Sequence, residues 1–390
     1  MDPRLSHRRP FSVALYSMLA MAAATSCLKK TTLPVSMPDS VDIAQTPVEN
    51  QFAIGFCWAY AVNALIESNY RTQTGEVINL SEEALGYVRM RAELLQLAQS
   101  YRAGTISLDE ITNQIQGHGL EGWFVRRSDS SETQDAMEMI DQYGLLPEDV
   151  WSVKFNSKSD VKRLKSAILA PLMDLLATSS TPITSEAIDR ILTVDGAFAS
   201  TPPTSFAFKG KQVTAQFFAR KILNFKSSDY ALIQAQKASD LPKVVAATKR
   251  AMAAGYSVPI SFGVSTENLR NGIFKAEDRD VNTLDNDPGL ARTLVPINGS
   301  HAVIATDFVN RGGREGVLPA EELKSEVEKS ASELAYLKFK NSWGAHASTT
   351  ENGVQVNSGS DGYYRMEYGY MKAVAAVGKF GAVVPRRFIK

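Results

Sequence analysis

The stretch CWAYAVNALIESNYRTQT, which begins at residue 57, constrains the fold most strongly because its apolar residues recur with the period of a helix. The apolar positions are Trp58, Ala61, Val62, Leu65 and Ile66. They share one helical face, and Gly75 provides a stop signal directly after the stretch. The pattern predicts a buried helix whose first turn contains Cys57.

Cys57 has two interpretations at this position. Cysteine is among the most frequently buried residues, so a packing role is the ordinary one. The exposed N–H groups and the dipole of a helix N-terminus stabilise an anion, which favours a reactive thiolate. A thiolate nucleophile also needs a base, a group that orients the base, and donors for the oxyanion.

His301 and Asn341 are the candidates for the base and its orienting group. His301 opens the predicted strand HAVIATDFV, and Asn341 ends the predicted strand YLKFKN. Asn341 shares one face of that strand with Leu337 and Phe339. An amide on an apolar face needs a hydrogen-bond partner, which an imidazole N–H would supply. Trp343 could cover that bond from water.

Helical patterns dominate the first two thirds of the chain and strand patterns dominate the last third. Ser81 is a predicted helix N-cap, Gly144 a predicted helix stop, and Gly210 the centre of a predicted hairpin. The strand-like segments are VPISFGV, HAVIATDFV, YLKFKNSW and GYYRMEY. This order of elements predicts an α+β fold.

Charge and composition narrow the class of partner. The chain has 42 basic and 42 acidic residues, so no basic excess is present to hold a phosphate backbone. Nucleic acid is therefore not expected as a partner. The segment SGSDGYY lacks the acidic spacing of a calcium loop, and we predict neither a metal nor another cofactor.

The N-terminal residues 1–27 have the layout of a secretory signal, with arginines, a short apolar run and small residues. Cys27, in AATSCLKK, is a candidate for lipidation; the alternative is ordinary signal cleavage nearby. Residues 28–36 read as a tether. The sequence thus predicts export to the periplasm or cell envelope, lipid-anchored or secreted, with membrane contact only through the anchor. Cys57 would then be the one thiol of the mature domain.

Seven segments taken in chain order resemble the papain-like cysteine peptidases. They are PDSVDIAQTPVENQFAIGFCWAYAVNALIES, LSEEAL, DAMEMIDQYGLLPEDVW, VPISFGV with NGIF, GSHAVIATDF, KFKNSWG and GYYRM. The match covers most of residues 37–156 and 246–370. The resemblance implies a papain-like fold, with a helical half that carries the nucleophile helix and an antiparallel β half.

The resemblance also implies roles, residue by residue. Cys57 matches the nucleophile, His301 the general base and acid, and Asn341 the residue that orients His301. Gln51 matches the side-chain donor of the oxyanion hole, beside the Cys57 backbone N–H. The implied activity is hydrolysis of peptide bonds in a protein or peptide substrate, without a cofactor.

Departures from the family pattern indicate additions to a domain spanning 37–390. The spacing from Cys57 to His301 exceeds that of papain-type chains by roughly 100 residues. An inserted subdomain is therefore predicted over about 157–245, where the sequence resembles the bleomycin-hydrolase branch, and an inserted helix over about 318–335. Phe56 stands where the family usually has serine and could narrow the substrate cleft.

Two alternatives to a peptidase stay open on the sequence. One is a catalytically silent papain-like binding protein of the cell envelope, against which the intact set of catalytic residue types argues. The other is an amidase or acyl transferase acting on a non-protein substrate, which would use the same nucleophile. Side-chain preference, endo- versus aminopeptidase action and oligomeric state are not encoded in any pattern that we can interpret.

Overall fold

The helix predicted from the apolar stripe is the first element of the computed structural model. Helix α1 spans Cys57–Thr74, and residues 57–70 are all buried. It ends at Gly75, whose φ of 75° lies in the left-handed region that glycine adopts most readily. The predicted start and stop of this helix are both confirmed.

The described part of the chain is interrupted by short gaps. It comprises residues 43–51, 54–117, 132–153, 155, 157–193, 198–313, 317–344, 348–351, 354–357 and 362–389. These residues all belong to one compact unit, Val35–Lys390. The predicted signal peptide over 1–27, Cys27 itself and the predicted tether over 28–36 lie outside the described residues.

Five further helices pack with α1 in the first half of the chain. They are α2 (Glu82–Arg102), α3 (Leu108–Gly117), α4 (Glu132–Tyr143), α5 (Lys158–Thr178) and α6 (Ser185–Thr193). Ser81 caps α2 as predicted, since its Oγ accepts the N–H of Ala84 at 3.0 Å. The apolar faces of these helices and of α1 form one continuous core.

Within the described residues, eight strands form one sheet in the order β3-β12-β4-β7-β8-β11-β6-β5. Their bounds are β3 Tyr230–Ala235, β4 Val258–Val264, β5 Leu269–Arg270, β6 Ile273–Phe274, β7 Gly299–Asn310, β8 Leu334–Lys340, β11 Tyr363–Glu367 and β12 Phe380–Pro385. Neighbours are antiparallel except for the parallel pair β11 and β6. The sheet is therefore antiparallel, as predicted for this half of the fold, except at that one pair.

The remaining elements flank the sheet or form small hairpins. The hairpins are β1 (Ser205–Phe208) with β2 (Lys211–Thr214), and β9 (Ser348–Glu351) with β10 (Val354–Asn357). The helices are α7 (Ala215–Phe217), which continues as a π-helix over Phe218–Ile222, α8 (Leu241–Ala253), α9 (Val281–Asn286), α10 (Pro288–Leu294), α11 (Ala320–Glu328) and α12 (Tyr368–Ala376).

Strand β7 lies between the two cores because its side chains alternate between the faces of the sheet. Ala302 and Ile304 pack into the core around α1, whereas Val303 and Ala305 pack into the core that contains α8 and α12. The fold is α+β, as predicted. No helix among the described residues is both long and apolar enough to span a membrane.

The two predicted insertions remain predictions as domains, but their elements differ from the expected ones. Strand β3, inside 157–245, pairs with β12 in the central sheet, so the last part of this stretch belongs to the main domain. The helix expected over 318–335 is limited to Ala320–Glu328. A 3-10 turn follows at Ala331–Glu333, and β8 begins at Leu334.

Candidate active site

Cys57 is the first residue of α1 and is 6 % exposed. The N-cap residue, Phe56, provides no side-chain hydrogen bond to the first turn. The partial positive charge of the helix N-terminus therefore acts directly beside the thiol, which favours its thiolate form.

Phe56 does not point into a cleft, so the expected narrowing is wrong. Its ring is 3 % exposed and packs edge-on against Trp58, with 5.9 Å between ring centroids. It fills the space above Gly86 of α2, where an added Cβ would lie 2.2 Å from Phe56 Cε2. The absence of a side chain at Gly86 is what lets the bulky ring lie inside the core.

His301 lies in β7 and Asn341 directly follows the neighbouring strand β8. Their side chains are buried, and His301 Nε2 lies 2.7 Å from Asn341 Oδ1. In the neutral ring this contact places the proton on Nε2, which donates to the amide oxygen, and leaves Nδ1 as an acceptor. The hydrogen bond expected from the sequence is present.

Trp343 stacks on the His301 ring, with 4.8 Å between centroids and 23° between planes. Together with burial, this contact removes the imidazole from water. Burial lowers the pKa of His301 to about 4, although the hydrogen bond to Asn341 acts in the opposite direction. A charged imidazolium at this position therefore needs a nearby anion, such as a thiolate.

Gln51 is fixed by the segment that follows Asn341. Its backbone N–H donates to Ser342 O at 2.8 Å, and its side-chain Oε1 accepts the hydroxyl of Ser342. Its Nε2 donates to Ile54 O at 3.2 Å. Ser342 was missed at the sequence level, although its place next to Asn341 was a usable signal.

Helix α1 packs across β7 and the end of β8, which brings these residues into one region. Ala61, Ala302 and Asn341 line the same cavity. Cys57 lies one helical turn before Ala61, and His301 lies one residue before Ala302. Asn341, the hydrogen-bond partner of His301, thus lines the same cavity as Ala61, which follows Cys57 by one helical turn.

Charged residues buried behind this region were also missed. Glu67 of α1, Glu82 of α2 and Lys340 of β8 line that cavity and are each at most 8 % exposed. Glu67 could have been found, because it falls on the face of α1 that carries Cys57 and Ala64. In the part of the chain that the structure describes, no cluster of three or more His, Cys, Asp or Glu side chains is arranged to hold a metal ion.

Comparison with known proteins agrees with this architecture. No protein-family model matches the chain. The solved structure of PepW from Lactobacillus rhamnosis HN001 is similar over 90 % of this chain and 82 % of that chain, with a TM-score of 0.55 and 16 % identity. This chain has a papain-like fold.

Two plant proteins are also similar. One is bromelain from Ananas comosus, whose structure was solved with the inhibitor E64. The match covers 88 % of this chain and 94 % of the bromelain chain, at 15 % identity and a TM-score of 0.36. Chymomexicain from Jacaratia mexicana is 42 % identical over 52 residues, which are 12 % of this papain-like chain. The chain spans about a quarter of the length of this curated relative, since the match covers 24 % of it.

Proposed function

We propose that the protein is a cysteine peptidase that hydrolyses peptide bonds in protein or peptide substrates. The observation that carries the proposal is the buried His301–Asn341 hydrogen bond beneath Trp343, since Asn341 also lines a cavity with Ala61, one helical turn after Cys57. A packing cysteine would not need an oriented imidazole nearby. The papain-like fold supports the same reading.

In the proposed mechanism, the Cys57 thiolate attacks the carbonyl carbon of the scissile bond. The Gln51 side-chain amide and the Cys57 backbone N–H donate to the oxyanion that forms. His301, charged in the ion pair, gives the Nδ1 proton to the leaving amine as the C–N bond breaks. Asn341 accepts the Nε2–H hydrogen bond throughout, which keeps Nδ1 directed at the Cys57 thiolate and the leaving amine.

The second half of the reaction returns the enzyme to its starting state. A water attacks the thioester carbonyl while His301 Nδ1 accepts a proton from it. The thioester C–S bond then breaks, the carboxylic acid product leaves, and Cys57 is again a thiolate beside an imidazolium. The buried, stacked imidazole is stable as an imidazolium only when the thiolate is present. The ionisation of Cys57 and the protonation of His301 are therefore coupled.

We also propose that the protein is exported and that Cys27 anchors it to the cell envelope. The support is the sequence of residues 1–27 alone. Metabolic labelling of the full chain with a fatty acid tests this directly. Label that persists after Cys27→Ser would contradict the assignment of the anchor.

The peptidase proposal is tested by intact-mass analysis after exposure of the Cys27→Ser chain to an epoxysuccinyl cysteine-peptidase inhibitor at pH 6. We expect one adduct, mapped to Cys57, which disappears in His301→Ala protein of the same fold. No adduct on folded protein would favour a catalytically silent homologue. An adduct without cleavage of any peptide in a mixed library would favour an amidase or acyl transferase.

A further inference from the structure

A group of ionisable residues, three of them buried and Glu49 half-buried, lies behind the proposed active site, in the cavity wall that α1 shares with β7 and β8. We name it the buried cluster, and its members are Glu49, Glu67, Glu82 and Lys340. Asn341 and Ser342 line the same cavity. The buried cluster thus brings three carboxyl groups and one ammonium group together against the segment that holds the proposed catalytic side chains.

Lys340 is linked to Glu67 through a hydroxyl. Lys340 Nζ donates to Thr46 Oγ1 at 2.9 Å, and the Thr46 hydroxyl donates to Glu67 Oε2 at 2.6 Å. The other oxygen of Glu67 accepts the N–H of Leu80 at 2.8 Å. Both carboxylate oxygens of Glu67 therefore have donors. Burial nevertheless raises the pKa of Glu67 to about 7, while the charge of Lys340 and these hydrogen bonds act in the opposite direction.

Glu82 lacks the hydrogen-bond donors that Glu67 has on both carboxylate oxygens. It is 3 % exposed, and its Oε2 accepts no hydrogen bond from the described residues; the same holds for Glu49 Oε2. Burial, and next the charge of Glu49, raise the pKa of Glu82 well above its usual range. The charges of Glu67 and of Glu83, which follows Glu82 in the chain, raise this pKa further. Its own backbone N–H, in the first turn of α2, opposes this only in part.

The charge balance of the buried cluster follows from these contacts. Lys340 is linked to Glu67 through Thr46, and no other cationic side chain of the described residues lines the cavity. Tyr60 of α1 also lines it, and its pKa is raised by burial, so it adds no charge. An ionised Glu82 would be a buried carboxylate without a counter-ion, which is strongly unfavourable.

The link from the buried cluster to the active site is covalent. Lys340, Asn341 and Ser342 are consecutive: the first is tied to Thr46 and Glu67, the second to His301, and the third to Gln51. A second carboxylate in the cavity would compete with Glu67 for Lys340 and draw water inward. Either change would act on Lys340, which directly precedes the two residues that contact His301 and Gln51.

We propose that Glu82, in its protonated form, is a positioning residue for the active site, and that its ionisation releases the 340–342 segment and sets an alkaline limit on activity. The activity part of this inference rests on the proposed peptidase function. The stability part does not, because the buried cluster is built into the fold whether or not Cys57 is a nucleophile.

The test compares the wild-type chain with Glu82→Gln, an uncharged residue of the same shape as the protonated acid. The matched control is Glu93→Gln, which removes a buried carboxylate from the same helix that is paired with Arg89 at 2.7 Å. For each protein we would measure kcat/KM on one peptide substrate and the thermal unfolding midpoint, from pH 5 to pH 10.

The sign of the pH dependence is fixed by the direction of the pKa shift. A carboxyl with a raised pKa in the folded state stabilises the fold when protonated, and that stability is lost as the pH rises through its folded pKa. We therefore expect Glu82→Gln to match the activity of the wild type at pH 5–6, where Glu82 is protonated in the folded protein. The unfolding midpoint of the wild type should fall below that of Glu82→Gln progressively as the pH rises above about 4.5, the ordinary pKa of the carboxyl. The alkaline activity limb of Glu82→Gln should move up by about one pH unit, which is roughly tenfold in rate there.

Three results would overturn the proposal. The first is an alkaline limb and unfolding profile identical to those of the wild type. The second is a uniform loss of activity in Glu82→Gln at every pH, which would mean that the carboxylate itself is needed. The third is the same shift in the Glu93→Gln control. If the wild type cleaves no peptide, the proposed function fails, but the unfolding midpoints still decide whether Glu82 is held protonated.

Discussion

Phe56 and Gly86 are expected to act as a pair, which a double-mutant cycle can measure. Phe56 is 3 % exposed, and its ring occupies the place of a side chain on Gly86. Truncating a buried phenylalanine to alanine typically costs about 3–5 kcal/mol of the free energy of unfolding. We expect Phe56→Ala to fall in that range, because the ring lies in the core.

The second mutation should have opposite effects in the two backgrounds. In the wild type, Gly86→Ala puts a Cβ 2.2 Å from Phe56 Cε2, so the ring must move at a cost of about 1–3 kcal/mol. In Phe56→Ala protein the space is empty, and alanine should stabilise helix α2 by about 1 kcal/mol relative to glycine. The coupling energy is then about 2–4 kcal/mol.

The assay is chemical denaturation of the four proteins, compared at a common slope so that the midpoints report stability. Equal effects of Gly86→Ala in both backgrounds would refute the packing argument. So would a Phe56→Ala protein with unchanged stability and faster peptide cleavage. That combination would mean that the ring lies in the substrate cleft, as the sequence alone had suggested.

Three further predictions concern the site itself. Asn341→Ala should lower kcat roughly 100-fold with little change in KM, because His301 loses its orienting partner. Steady-state kinetics would show a raised KM instead if Asn341 only binds substrate. Ser342→Ala should lower kcat about tenfold by freeing the Gln51 side chain; an unchanged kcat would rule out that support. In Cys57→Ala protein, His301 should titrate by NMR at about pH 4, and stability should be complete above about pH 6.5 and decline by about 3 kcal/mol as the pH falls to 4. Titration near the ordinary value would mean that the ring is hydrated.

Local sequence signals predicted the parts of the structure that depend on local physics. The stripe that follows Cys57 fixed both ends of α1, and Ser81 and Gly144 marked a helix start and a helix end. The isolated amide of Asn341 on an apolar strand correctly indicated a buried partner. Each of these signals involves a few neighbouring residues and one period.

Tertiary packing decided what the sequence could not. Phe56 was expected in a cleft because no local rule reveals that Gly86, on another helix, leaves room for its ring. The buried cluster depends on residues of α1, α2 and β8 that meet only in the folded chain. The helix expected over 318–335 ended early because the residues after Lys329 enter a 3-10 turn and strand β8.

The most direct test of the account is the rate at which iodoacetamide alkylates Cys57, measured as a function of pH in wild-type and His301→Ala protein carrying Cys27→Ser. If Cys57 and His301 form an ion pair, the wild type should react rapidly already near pH 6, and His301→Ala should react only as a thiol ionising at about pH 8.5 or above. A wild-type rate that follows a single ionisation near pH 8.5, unchanged by His301→Ala, would contradict the central claim.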